Sequence, residues 1–225
     1  MALATIASRI TDMIGSEYST IPSLSYEDLI RAAVNSIADA INPDLLLKYA
    51  HYRTNVDSSD GMDAIEEKKI LLVTREVSNS GTEVRQCSLV PSHEFDRVLN
   101  SGSIYFATAE SPVYTIEYHA TDPKLKIAPV PDNDQLGYVY HFNYLGTSDT
   151  PSGESDINGL PDVCLQAVVL QACVNILSTY ISDFIQDEED TEMLQMLTAQ
   201  KQLIEQSLLI EINRFIDESA PAKGE

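Results

Sequence analysis

The residues best suited to chemistry in this chain are carboxylates at a predicted turn near the C-terminus. Six of them fall within ten positions: Asp183, Asp187, Glu188, Glu189, Asp190 and Glu192. Calcium prefers carboxylate oxygens, but the spacing does not match an EF-hand loop and no central glycine allows its bend. Acidic residues also stabilise the start of a following helix through its dipole. We therefore predict an acidic turn at Asp187, Glu188, Glu189 and Asp190 with a structural role, and keep a tip that faces a basic partner as the alternative.

Histidine and cysteine supply two weaker candidate sites. His119 and His141 could meet across strands and bind a metal with Asp122. Cys87 could act as a nucleophile with His93 or His119 as its base, although an alternating strand is a poor setting for a reactive thiol. No glycine-rich loop followed by Lys-Ser or Lys-Thr and no Gly-x-Ser-x-Gly motif occurs. We expect no catalytic residue, no cofactor and no metal site, and we expect the three cysteines to be buried free thiols.

The charge of the chain is strongly acidic and unevenly distributed. The formal net charge is −21, and from Ala128 onward three basic residues face seventeen acidic ones. Because binding to a phosphate backbone requires clustered Lys and Arg, such a surface should repel nucleic acid. Simple solubility is the alternative explanation for the charge.

Apolar spacing predicts helices in the first third of the chain. Residues 2–14 carry apolar side chains at helical intervals and Gly15 ends the pattern, while a second helix begins near Ser25 and ends at Asn42-Pro43. A short further turn follows through Tyr49. Residues 54–67 are polar and contain Asp57-Ser58-Ser59-Asp60-Gly61, which predicts a linker.

From Lys68 the sequence changes to short strands separated by turn residues. Only Ser92–Leu99 has helical spacing there. We predict a small antiparallel sheet or barrel of five or six strands. The predicted strands are Lys69–Val77, Glu83–Val90, Ser103–Ala109, Val113–His119, Lys124–Val130 and Tyr138–Leu145.

Two long helices are predicted in the last third of the chain, and the first of them has no charged residue between Asp162 and Asp183. A helix that is apolar on all sides must be surrounded. A membrane is one possibility, since about twenty residues can span it, but interrupting polar residues and acidic flanks argue against it. We expect the rest of the domain on one side and another copy of the chain on the other.

The predicted fold class is therefore α+β, a helical bundle with an inserted antiparallel β domain. We assign residues 1–60 to N-terminal helices, 61–150 to the β-rich insertion, 151–216 to a C-terminal helical hairpin that completes the bundle, and 217–225 to a disordered tail.

This layout resembles the head-to-tail adaptor, or connector, proteins of tailed bacteriophages. The resemblance rests on the order of elements and on three loose motifs: Pro112-Val113-Tyr114-Thr115, Leu125-Lys126-Ile127-Ala128-Pro129, and Leu160-Pro161 at the start of the long helices. It implies a homo-oligomeric ring, typically of twelve copies, made in the host cytoplasm and located in the neck of the virion. The portal protein would lie above the ring and a tail or neck protein below it. DNA would pass without specific binding during genome ejection, and the family has no catalytic residues to transfer.

Copies in a ring meet through two different surfaces, so we predict two subunit-interface patches. The first is the polar line Gln171, Asn175, Ser178 and Ser182, and the second is the helix face carrying Leu29, Ala33 and Ile37. Two other classes of function stay open. One is a non-catalytic accessory or other neck or tail completion protein that binds a partner through the β insertion, and the other is an enzyme.

Overall fold

The computed structural model describes residues 5–15, 26–49, 52–56, 61–63, 65–78, 83–118, 123–131, 135–149, 157, 160–187 and 191–219. The chain is mixed α+β with antiparallel sheets, about 51% helical and 23% strand, which confirms the predicted class at that level. It divides into two compact units. One combines Met1–Ala50 with Tyr144–Glu225 and is helical, and the other is the strand-rich His51–Asn143.

The described helices and strands are numbered in chain order. The helices are α1 (Ile6–Ile14), α2 (Tyr26–Ala40), α3 (Pro43–Tyr49), α4 (Ser92–Leu99), α5 (Leu165–Asp187) and α6 (Thr191–Ser219). The strands are β1 (Tyr52–Val56), β2 (Lys68–Glu76), β3 (Val84–Gln86), β4 (Ser88–Leu89), β5 (Val113–Glu117), β6 (Lys124–Ala128) and β7 (Gly137–Asn143).

The first helix follows the sequence prediction closely. The Thr5 hydroxyl accepts a hydrogen bond from the amide of Ser8 at 3.2 Å and caps α1. Gly15 ends the helix at a φ of 93°, a conformation that favours glycine. One face, formed by Ile6, Ile10 and Ile14, is buried.

Helix α5 is the centre of the helical unit, where it contacts α1, α2 and α6. Pro161 precedes a 3₁₀ turn at Asp162–Cys164, and the α-helix begins at Leu165. The predicted helix over 160–185 is therefore confirmed with a 3₁₀ first turn. Helix α2 is also confirmed, and α3 begins at Pro43, where the side chain of Asn42 accepts from the amide of Asp44 at 2.9 Å.

The strand-rich unit contains two sheets, whereas the sequence predicted one. The first has the order β1-β7-β2-β3 and is antiparallel throughout. The second has the order β4-β5-β6, and β4 runs parallel to β5. The predicted strand over Glu83–Val90 divides at Cys87, so that its first half pairs with β2 and its second half with β5.

Two sequence predictions in this unit are wrong. Part of the predicted linker over 54–67 forms β1, which pairs with β7 from Tyr52 opposite His141 to Val56 opposite Gly137. The predicted strand over Ser103–Ala109 is a series of turns held against the end of α4, where the amide of Ala107 donates to the Val98 carbonyl at 2.9 Å.

The larger apolar cluster of the strand-rich unit contains residues of both sheets. The larger cluster consists of Val56, Met62, Ile65, Val73, Cys87, Leu125, Ile127 and Val139. Gly61 lies beside it with a φ of +78°, and a Cβ there would come within 2.3 Å of the Leu125 carbonyl oxygen. Glycine is therefore required where the chain enters this cluster.

Candidate functional site

Much of helix α5, which has no charged residue before Asp183, is covered by its own chain. Ala167, Val168, Ala172, Cys173 and Ile176 are all 0% exposed. The cover comes from α1, α2 and α6. Three neighbouring helices of one chain thus surround these residues, and a second copy against the rest of α5 stays a prediction.

The predicted interface face on α2 lies inside this packing. Leu29, Ala33 and Ile37 are 8%, 0% and 1% exposed. Side chains buried within one chain have little area left to offer another. These three residues therefore hold α2 against α5, and any contact between copies must use other surfaces.

The predicted polar line on α5 forms hydrogen bonds within the same chain at three of its four positions. Gln171 donates from Nε2 to Oδ1 of Asn175 at 2.9 Å, and Asn175 donates from Nδ2 to the carbonyl of Leu29 at 3.2 Å. Ser178 donates to the carbonyl of Val174, one turn back in its own helix, at 2.6 Å. Ser182 alone of the four is exposed. The two predicted patches thus meet each other in one chain at Asn175 and Leu29.

Most of the predicted acidic turn lies outside the described residues. Asp187 is the last residue of α5, and its side chain, together with Glu188, Glu189 and Asp190, lies outside the described residues. Across the part of the chain that the structure describes, no group of three or more His, Cys, Asp or Glu side chains could hold a metal ion.

The cysteines are free and buried, as the sequence predicts. Burial raises the pKa of Cys87 and of Cys173 to about 12. Both are therefore thiols at neutral pH, and a thiol is a poor nucleophile.

His141 is a buried strand residue, and the second histidine of the candidate metal pair, His119, lies outside the described residues. Nε2 of His141 lies 2.9 Å from the Thr54 hydroxyl, and its ring stacks on Tyr52 with centroids 6.1 Å apart. Burial, followed by the charge of Lys68, lowers the pKa of His141. These contacts give His141 a structural role between β1 and β7.

A polar contact that sequence reasoning missed lies on α2. Arg31, Asn35 and Asp39 are spaced four apart and all bond the segment that follows β7. Nε of Arg31 donates to the carbonyl of Asp149 at 3.1 Å. Nδ2 of Asn35 donates to the Leu145 carbonyl at 3.1 Å, and its Oδ1 accepts from the Leu145 amide at 2.9 Å.

The third member of this set is Asp39. Its carboxylate accepts a hydrogen bond from the hydroxyl of Tyr144. Partial burial and this bond raise the pKa of Tyr144. We call Arg31, Asn35 and Asp39 the α2 clamp, because they fix the returning chain against α2 within the helical unit. The regular spacing of four was the available sequence signal.

Helix α6 has a second apolar side that the sequence analysis did not identify. Leu197, Ile204 and Leu208 are buried on one side. Met196, Leu203 and Ile210 are 68%, 65% and 69% exposed. An apolar series that stays exposed in one chain is a candidate contact surface.

Length and hydropathy alone would allow one stretch of the described residues to cross a membrane. It is Asp162–Asp183, with a mean hydropathy of 1.6, and 56% of the stretch is buried inside the protein. Burial among α1, α2 and α6 is typical of a core helix. No protein-family model and no curated protein sequence matches this chain.

Proposed function

We propose that this chain is a structural virion protein, a head-to-tail adaptor that forms a ring under the portal and lines part of the DNA conduit. The observation that carries the proposal is the layout of the chain. A helical unit is built from the two ends of the sequence, and a strand-rich unit is inserted between them. The bundle closed by a C-terminal helical hairpin, which the resemblance to connector proteins implies, is part of the same proposal.

Charge supports a conduit role. The helical unit contains twenty-one acidic and six basic residues, whereas the strand-rich unit contains fourteen acidic and eight basic residues. Most of the net charge of −21 therefore belongs to the helical unit. Like charges repel the phosphate backbone, so DNA would pass such a wall without adhering to it.

The proposal assigns no reaction to the chain. The candidate nucleophile Cys87 is a buried thiol with a pKa raised to about 12. His93, its candidate base, is exposed on α4 and lies 3.8 Å from the carboxylate of Glu94. These settings suit structural roles.

A second candidate is a non-catalytic accessory protein, or another neck or tail completion protein, that binds its partner through the strand-rich unit. The turns after α4 present Ile104, Tyr105 and Phe106, which are 91%, 57% and 42% exposed. Tyr105 also borders a cavity of about 300 Å³ between α4 and β5, and the Arg97 guanidinium lies 4.9 Å from its ring centroid. An apolar partner side chain would fit this cavity.

The two candidates are separated by a binding experiment with the portal protein of the same virus. The purified chain is mixed with assembled portal, and the mass of the product is measured. An adaptor adds multiple copies to the portal, twelve if the family stoichiometry holds, and electron microscopy shows a ring beneath it. A chain that leaves the portal mass unchanged but binds a tail component, with binding lost in Ile104→Ser, supports the accessory role and contradicts the adaptor role.

A further inference from the structure

A row of seven exposed residues runs along one side of α6. The row consists of Glu192, Met196, Ala199, Leu203, Ser207, Ile210 and Arg214, all of which are exposed. At about 100° per residue, every member lies within about 40° of the direction of Leu203. We call this set the α6 row. It lies away from Leu197, Ile204 and Leu208, which are buried within the chain.

The spacing of the α6 row is the same from either end. Its members are separated by steps of four, three, four, four, three and four, so the spacing is symmetric about Leu203. The residue types are also symmetric. Apolar Met196 and Ile210 lie seven positions from the centre, and small Ala199 and Ser207 lie four positions from it. Seven-residue apolar spacing is typical of a seam that packs against another helix.

The charges at the two ends select the direction of that other helix. Glu192 and Arg214 each lie eleven positions from Leu203, and their charges are opposite. If two copies ran parallel, each charge would meet its own kind. If they run antiparallel, Glu192 of one copy meets Arg214 of the partner subunit, and complementary charges fix the register.

We propose that a second copy of this chain docks antiparallel on the α6 row, so that a two-fold axis passes beside Leu203. Met196 then packs on Ile210 of the partner subunit, and Leu203 packs on Leu203 of the partner subunit. Ala199 faces Ser207 of the partner subunit, and two small residues let the helix backbones approach closely. The Ser207 hydroxyl already donates to its own Leu203 carbonyl at 3.0 Å, so it brings no unpaired donor into the seam.

The size of the seam predicts a weak dimer. Twenty-two steps of 1.5 Å from Glu192 to Arg214 give a length of about 33 Å, and a helix is about 10 Å wide. Each copy thus offers roughly 300 Å² of projected area, about 600 Å² for the pair, which is below the roughly 1,000 Å² expected of a stable interface. The dimer should therefore be weak and dissociate on dilution.

This dimer goes beyond the proposed adaptor function and does not depend on it. A two-fold contact closes on itself, whereas a ring of copies needs two different surfaces. The α6 pairing is consequently a property of the free chain. A chain that dimerises but ignores the portal would contradict only the adaptor role, and a chain that joins the portal but never dimerises would contradict only this proposal.

The first test is sedimentation equilibrium of the purified chain over a range of concentrations. We expect the mass to rise towards twice the 24.8 kDa of one chain. Leu203→Glu places two carboxylates together at the axis and should weaken the dimer at least tenfold. Leu209→Glu is the matched control, because Leu209 is also 60% exposed on α6 but lies about 120° from the row. Equal dimerisation of both variants, or a wild-type chain that stays monomeric, overturns the proposal.

The second test fixes the direction by disulfide cross-linking. Leu203→Cys should link to itself across the axis, whereas Met196→Cys should link only to a partner that carries Ile210→Cys. A Met196→Cys chain that links to itself would show a parallel pair and overturn the proposal. The native thiols should not compete, since all three cysteines are buried.

A charge exchange tests the ends of the seam without altering its centre. Arg214→Glu and Glu192→Arg should each weaken the dimer, because each creates like-charge contacts. The double variant should restore wild-type dimerisation. If the double variant is as weak as either single one, the antiparallel register is wrong.

Discussion

The side-chain amide of Asn175 donates a hydrogen bond to the main-chain carbonyl of Leu29 at 3.2 Å, which joins the centre of α5 to α2. Asn175 also accepts from Gln171 one turn earlier. The polar groups of an otherwise apolar helix are therefore used to fix its neighbour in place. The bond also explains how a charge-free helix can contain amides and remain in a protein core, since buried polar groups need partners.

Asn175→Ala should destabilise the helical unit by about 1–2 kcal/mol, because it removes this bond and the partner of Gln171. Urea unfolding followed by circular dichroism measures the change. Gln166→Ala is the control, since Gln166 is exposed on the same helix and should shift stability by less than about 0.5 kcal/mol. Equal effects of the two substitutions would argue against the role assigned to Asn175.

Ile176→Ala should cost about 2–5 kcal/mol, because Ile176 is 0% exposed and the substitution leaves a cavity among tightly packed helices. Ile185→Ala tests the same change at a site on α5 that is 59% exposed. The difference between the two free energies of unfolding measures how completely one chain covers α5. A small cost at Ile176 would mean that its cover is absent in solution.

The α2 clamp makes a prediction about hydrogen exchange. Asn35→Ala removes both bonds to Leu145, so the amide of Leu145 should exchange at least tenfold faster and stability should fall by about 1–3 kcal/mol. Ser36→Ala, at an exposed position of α2, should change neither quantity. Unchanged exchange at Leu145 in Asn35→Ala would show that the clamp does not hold this segment.

The buried thiols predict a loss of stability in alkaline solution. The pKa of Cys87 and Cys173 is raised from 9.0 to about 12 in the folded chain. Between these values the unfolded chain releases thiol protons that the folded chain keeps, so stability should fall as the pH rises from about 9 towards 12. The double variant Cys87→Ala and Cys173→Ala should show a shallower fall between pH 8 and pH 10. If the two slopes were equal, thiol ionisation would not be the cause.

Sequence reasoning was most successful where one segment carries the whole signal. The helices α1 and α2, the helical turns of α4 and the strands β5, β6 and β7 follow from apolar spacing and from end signals such as Gly15. It failed where the conformation of a segment depends on the strand or helix that it contacts. β1 has one buried residue, Val56, and is a strand because β7 supplies its hydrogen bonds. Ile104, Tyr105 and Phe106 have strand-forming side chains, yet this segment forms turns against α4.

The candidate contact surfaces show the same division. Periodicity indicated that Leu29, Ala33 and Ile37 lie on one face of a helix and that Gln171, Asn175 and Ser178 lie on one line of another, but it could not indicate what covers each.

What the sequence determined by itself is local: the positions of the helices, the absence of charged residues between Asp162 and Asp183, and the acidity of the helical unit. The tertiary structure alone decided that the α2 face is buried and meets the α5 line at Asn175, and that the α6 row stays exposed. Spacing along a helix fixes which side chains share a side, because backbone geometry is local. Which sides are buried depends on helices that are distant in the sequence and meet only when the chain folds.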